Sequence, residues 1–280
     1  MNFFNLGEKI LALLEIVFAF WNNQTDLVFS LLGQSPANFK GGEPWQIIMN
    51  LQPLFVAIGS SLVVLFFVIG FCAESVDIRE EMRFGIILKM FMRIGIAQWL
   101  VVNSITILKA FFTSIGNMVK LLGKHGGTKL KIDPTQAEVI KNLGFWEGLL
   151  FLILALILSV AIIVFGFMLV YTVYFRFLKM LIIVPLGPLA YATLAGNRTV
   201  SHSSVSYSKY FLSVLLEAVT MALAIILCSA FINAGLPEFT GDYADWTKTL
   251  IYLCEMTFTV ALTVGSVKGA QNLTSRALGL

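Results

Sequence analysis

The chain has 280 residues, of which 58% are hydrophobic and 12% charged, with a formal net charge of +3. Soluble domains carry about 45–50% apolar and about 25% charged residues, so a water-exposed surface of ordinary size is excluded. The small, scattered positive charge also excludes a dedicated nucleic-acid surface, and the long apolar blocks predict an all-α polytopic membrane protein.

Residues 1–44 read as an amphipathic N-terminal region. Leu6, Ile10, Leu13, Leu14, Val17 and Trp21 share one helical face, while Glu8, Ala12, Glu15, Ala19 and Asn22 fall on the other. Glu8 and Glu15 interrupt the run that a signal peptide needs, so a helix lying on the membrane surface is expected. A second short helix is predicted from Asp26 to Leu32, capped by Thr25 and stopped by Gly33. A linker with Pro36 and Gly41-Gly42 follows it.

Residues 45–112 hold the first two transmembrane helices. Leu54 to Phe71 carries no charge and follows Trp45, Gln52 and Pro53, which suit an interfacial helix start. Phe84 to Phe112 is less apolar and contains Lys89 and Arg93. Residues 113–146 form a polar loop with Lys120, Lys124, Lys129, Lys131 and Lys141, and a short helix is predicted from Pro134 toward Leu143.

The core, 147–267, opens on the strongest span. Leu149 to Tyr171 has no charge, and 17 of its residues are Leu, Ile, Val or Phe, which favours insertion by about 5–10 kcal/mol. Phe211 to Phe231 has 11 such residues, worth about 3–7 kcal/mol against about 2.5–3.5 kcal/mol for Glu217. Insertion wins, with Glu217 turned away from lipid. Leu250 to Val267, with Glu255, completes five spans before the tail 268–280. Between the third and fourth, 178–194 contains Lys179, Pro185, Gly187 and Pro188. Each proline lacks a backbone donor, so a broken or re-entrant hairpin is preferred there to a sixth full span.

With five spans, the loop Glu74 to Arg83, the hairpin with Arg176, Lys179 and Arg198, and the tail with Lys268 and Arg276 share one side. The other side receives the N-terminus, the lysine loop and the acidic stretch Asn233 to Trp246. The positive-inside rule then favours N-terminus out and C-terminus in, against the lysines of 120–141.

Polar groups at membrane depth are the candidate functional residues. Lys89, Arg93 and Asn103 fall within about 40° of one helical line. Lys248, Glu255, Thr259 and Ser266 share a face of the last span, and Tyr210, Ser213, Glu217 and Cys228 one of the preceding span. Pairing of Glu217 or Glu255 with Lys89 or Arg93 is expected ahead of a hydrated passage, an inter-subunit contact or ion coupling. Gly59, Ser60 and Ser61, and Ala218, Ala222 and Ala224, are expected to pack helices closely. Cys72, Cys228 and Cys254 read as packing residues, with no CxxC pair. His125 and His202 lie in loops, and no serine, paired-glutamate or metal site finds its partners. No catalytic site, metal or cofactor is expected.

Tyr174-Phe175-Arg176-Phe177-Leu178-Lys179, then Pro185-Leu186-Gly187-Pro188-Leu189-Ala190, then Ser201 to Ser208 leading into Lys209-Tyr210-Phe211, carry a resemblance to a known family. They resemble the TrbL family of conjugal transfer proteins, polytopic inner-membrane subunits of type IV secretion systems, and in particular versions from Gram-positive conjugative elements. The likeness is sharpest over 145–265. It implies a channel or scaffold subunit that supports transfer of single-stranded DNA, and often protein, between bacteria. It further implies other secretion membrane subunits and secretion ATPases as partners, a homo-oligomeric ring in the cytoplasmic membrane, and only transient contact with the DNA. An autonomous transporter or ion channel is the competing reading, its coupling site being Glu217, Glu255, Lys89 and Arg93; only one broken segment is present, where transporters often repeat it.

Overall fold

The computed structural model describes residues 6–77, 84–123, 129–233 and 245–279. Most of the loop Glu74 to Arg83, Lys124, His125 and nearly all of the acidic stretch before Trp246 therefore lie outside the described residues. What is described is all-helical, without a strand. Helices α1 (Leu6–Leu32), α2 (Glu43–Asp77), α3 (Phe84–Gly123), α4 (Pro134–Lys141), α5 (Phe145–Ile183), α6 (Gly187–Ala192), α7 (Arg198–Asn233) and α8 (Asp245–Ala277) follow in order. Short 3₁₀ segments lie at Pro36–Gly42, Val184–Leu186 and Thr193–Ala195. Five stretches are long and apolar enough to cross a bilayer: 36–73, 88–123, 145–195, 199–231 and 246–277. Four of them contain a predicted span whole and the second overlaps Phe84 to Phe112 from Leu88 on, and the proline-bearing segment continues the third.

The chain forms two compact units. The first is built from residues up to 32, 119–174 and 219–272. Its core joins Ile10, Leu11 and Leu14 of α1 to Ile140 of α4, Phe151 and Ala155 of α5, and Leu253 of α8. α1 is amphipathic as its pattern predicts, but it is one helix and not two. The Thr25 hydroxyl donates to the Trp21 carbonyl at 3.1 Å, so it stays within the helical ladder instead of capping a new start. α4 begins where the Pro134 signal places it. Asp133 caps it, accepting from the Thr135 N–H at 3.0 Å, with proline in the first turn where its missing donor costs nothing.

The second unit holds 33–118, 175–218 and 273–280. One cluster packs Trp45, Leu108, Phe112, Met180, Val184, Phe211 and Leu215 together. Another packs Val63, Ala97 and Val101 against Tyr191, Ala192 and Ala195. α2 and α3 are also joined by side chains, Gln52 to the Ser104 hydroxyl at 3.3 Å and Gln98 to the Ser60 hydroxyl at 3.0 Å. Gly59 is where α2 meets the broken segment. A Cβ there would lie 2.9 Å from the Pro188 carbonyl oxygen, so only hydrogen allows this approach. Of the three cysteines only Cys228 is buried; Cys72 and Cys254 are exposed.

Gly59→Leu is expected to lower thermal stability in detergent by about 1–3 kcal/mol through overpacking against Pro188. Gly95→Ala, where nothing lies within 4 Å of a Cβ, should leave the melting curve unchanged or slightly raised. At α4, the Thr135 hydroxyl and then its N–H hold the Asp133 carboxyl below its ordinary 3.8. The cap therefore contributes stability above that value and loses it as pH falls through the lowered pKa. Asp133→Ala should speed proteolysis across 129–144 at neutral pH, while Asp133→Asn keeps an acceptor and removes the acid sensitivity.

Candidate functional site

The proline-broken segment and the start of α7 form a hairpin within the second unit. Residues 176–196 run one way along α2 and 198–217 return beside them. Pro185 sits in the first turn of the 3₁₀ segment and Pro188 in the first turn of α6. Each begins a new helical segment, the place in a helix where a missing N–H costs least. The break still strands carbonyls at the end of α5, and the Tyr207 hydroxyl donates to one of them, that of Ile183, at 3.1 Å. Gly187 lies beneath this hydroxyl, 3.0 Å from where a Cβ would sit.

At the turn, the Arg93 guanidinium of α3 donates to the Gly196 carbonyl at 2.9 Å. A Cβ at Gly70 of α2 would come within 3.0 Å of the Asn197 nitrogen. The hairpin tip is thus seated on α2 and closed by a cation from α3.

The open end of the hairpin is charged. Lys179 of α5 donates to both oxygens of Glu217 on α7, at 3.3 and 3.5 Å. Glu217 is 2% exposed and Arg176, one turn before Lys179, is 3% exposed. Arg176 Nε lies 3.4 Å from the Val214 carbonyl and Nη2 3.8 Å from Met180 Sδ, while its guanidinium stands 5.5 Å from the Phe177 ring centroid. Phe177 stacks in turn on Phe39, with centroids 4.2 Å apart and planes at 10°. Lys179 lies 5.2 Å over Phe175, an aromatic contact that suits a partly desolvated ammonium.

Glu217 thus takes Lys179 as its partner, not Lys89 or Arg93. Arg93 instead closes the turn, and Lys89 is exposed on α3. Asn103 is half-buried and donates to the Trp99 carbonyl of its own helix at 2.9 Å. Glu255 and Thr259 belong to the first unit. Glu255 is half-buried; Thr259 is buried with its hydroxyl lining a cavity of about 20 Å³ alongside Trp21, Thr25, Ile225, Ser229 and Thr263. Among the described residues, no group of three His, Cys, Asp or Glu side chains could hold a metal ion.

Sequence reasoning missed three contributors. Tyr207 sits in a polar run that reads as a link. Lys109 lies 5.6 Å over Trp45, and its signal was simply a lysine inside an apolar block. Asn22, read as one of α1's polar residues, binds Leu130 through both its amide nitrogen and its oxygen.

Long apolar helices, a hairpin broken by prolines, and ionic groups turned toward protein define a multi-pass α-helical membrane protein. Residues 21–188 match the family described as TrbL/VirB6 plasmid conjugal transfer like protein. That is more than half of the chain, and the chain belongs to this family. The match takes in the Tyr174 to Pro188 motif and reaches back into the second half of α1, to Trp21, whereas the resemblance read from the sequence was sharpest further on. No curated protein and no solved structure matches the chain.

Glu217→Ala is expected to destabilise the protein by about 3–5 kcal/mol, because it leaves the buried Arg176 and the half-buried Lys179 without their carboxylate. Lys179→Met should restore part of that loss in the double variant. A double-mutant cycle from melting curves measures the coupling, and additive losses would show the pair to be unimportant.

Proposed function

We propose that this chain is a channel or scaffold subunit of a type IV secretion membrane complex, supporting DNA transfer, and in some systems protein transfer, during bacterial conjugation. Family membership over 21–188 carries the reading. The disposition of charge supports a structural role and not a catalytic one. Arg176, Lys179, Glu217 and Arg93 all serve to close or seat the hairpin.

The same disposition weighs against an autonomous transporter. Of the four residues that would couple ions, Glu217 is occupied by Lys179 and Arg93 by the Gly196 carbonyl. Lys89 is exposed and Glu255 is half-buried. As partners we propose further copies of this chain in a ring, other secretion membrane subunits and secretion ATPases, with single-stranded DNA passing transiently. The proposed orientation is N-terminus out and C-terminus in, in the cytoplasmic membrane.

Deleting the gene from a donor cell should abolish or sharply reduce mating frequency, and the gene supplied in trans should restore it. Unchanged transfer from the deletion strain would sink the proposal. Ion or solute flux by the purified protein in liposomes would favour the transporter instead.

A further inference from the structure

The first unit places polar structure beside the most apolar helix of the chain. α1 runs parallel to α5 in close contact. Leu6 Cβ lies 3.4 Å from a Cβ position at Gly148, and Phe20 and Gln24 lie 2.8 and 3.5 Å from one at Gly166. Phe20 also packs on Phe167, with centroids 5.5 Å apart. Leu6 to Gln24 and Gly148 to Gly166 thus advance together through about 27 Å of helix rise, close to the hydrocarbon thickness of about 30 Å. α1 therefore shares the depth of α5 and does not lie on the membrane surface apart from it.

Two exposed faces at this common depth differ in chemistry. Ile153, Leu156, Ile157, Val160, Val164 and Phe167 of α5 are exposed and apolar, which suits lipid. Glu8, Ala12, Glu15, Ala19, Asn23 and Asp26 of α1 are exposed and fall within about 80° of arc, a polar stripe bordered on one side by exposed Ile16 and Leu27. The non-helical stretch 129–133 lies against the same helix. Asn22 holds the Leu130 N–H at 2.9 Å and its carbonyl at 3.0 Å, and Lys129 pairs with Asp26 at 3.1 Å. On its far side, the Tyr252 hydroxyl of α8 takes the Asp133 N–H at 3.2 Å and donates to the Lys131 carbonyl at 3.0 Å. Lys129, Lys131 and Asp133 are exposed. Irregular backbone occurs at hydrocarbon depth only where protein buries it or where it borders water, and exposed charges at that depth require water as well.

We infer that the α1 stripe and the pinned stretch 129–133 form the wall of a water-filled passage at the depth at which α5 meets lipid. Acidic Glu8, Glu15, Asp26 and Asp133 stand there with Lys129 and Lys131. Such mixed charge holds water without a strong field of either sign. The inference rests on the transfer reading only for what travels along the passage.

The test uses the full chain in its own membrane, with Cys72, Cys228 and Cys254 replaced by serine and single cysteines introduced by Ala19→Cys, Lys131→Cys or Val160→Cys. Ala12→Cys serves as a second α1 position, and only variants accumulating to the parent level are scored. A charged, membrane-impermeant thiol reagent should modify the Ala19, Ala12 and Lys131 variants at least about tenfold faster than the Val160 variant, since thiolate forms readily only in water. After denaturation in SDS, the Val160 variant should react with the same reagent as fast as the others. Equally slow reaction at all positions would overturn the passage, and equally fast reaction at Val160 would overturn the placement of α5 in lipid. Labelling is read without mating, so labelled positions in a strain whose deletion leaves transfer unchanged would sink the transfer reading alone.

Discussion

A helix interrupted inside packed protein strands carbonyls that water cannot reach, and the second unit is organised around meeting that constraint. Pro185 and Pro188 interrupt the ladder, and the donors that answer the break come from elsewhere in the fold. Tyr207 reaches Ile183 from the returning arm, and Arg93 reaches Gly196 from α3. Gly59 and Gly70 bring α2 close enough for backbone to meet backbone. The hairpin is thus held by groups that must all be in place together. The Lys179–Glu217 pair fastens its open end beside a buried guanidinium.

This arrangement explains why polar residues at membrane depth in this chain need not mark a transport site. A buried cation paired with a carboxylate is costly to break and contributes little net stability compared with an apolar replacement. Its value lies in specifying one arrangement of two helices that hydrocarbon alone would let slide. A subunit of an assembly needs a defined shape, and here ionic groups supply register where apolar packing cannot.

Much of this was legible in the sequence, and the rest was hidden for physical reasons. Seventeen branched or aromatic side chains in Leu149 to Tyr171 leave no alternative to a span, and two prolines close together announce a break. Pro134 announced α4. Partner choice was not legible. Glu217 lies 38 residues beyond Lys179, and helical wheels place charges on faces without saying which helix stands opposite. Thr25 looked like a cap because its hydroxyl can serve either a helix start or the preceding turn, and the packing of α1 decided for the latter. The lysine loop read as an excursion because its charges are real; the side chains that pin it, Asn22 and Tyr252, are single polar residues with no periodic signature.

The Lys179–Glu217 pair also has a consequence for biogenesis. Synthesis runs from the N-terminus, so Lys179 leaves the ribosome while its carboxylate is still 38 residues away, and Arg176 leaves earlier still. Until α7 emerges, the arm carrying both cations and both prolines has neither its counter-charge nor Tyr207. Its polar groups are all answered only once Glu217 and Tyr207 have both been synthesised, so the hairpin closes after translation has passed Glu217.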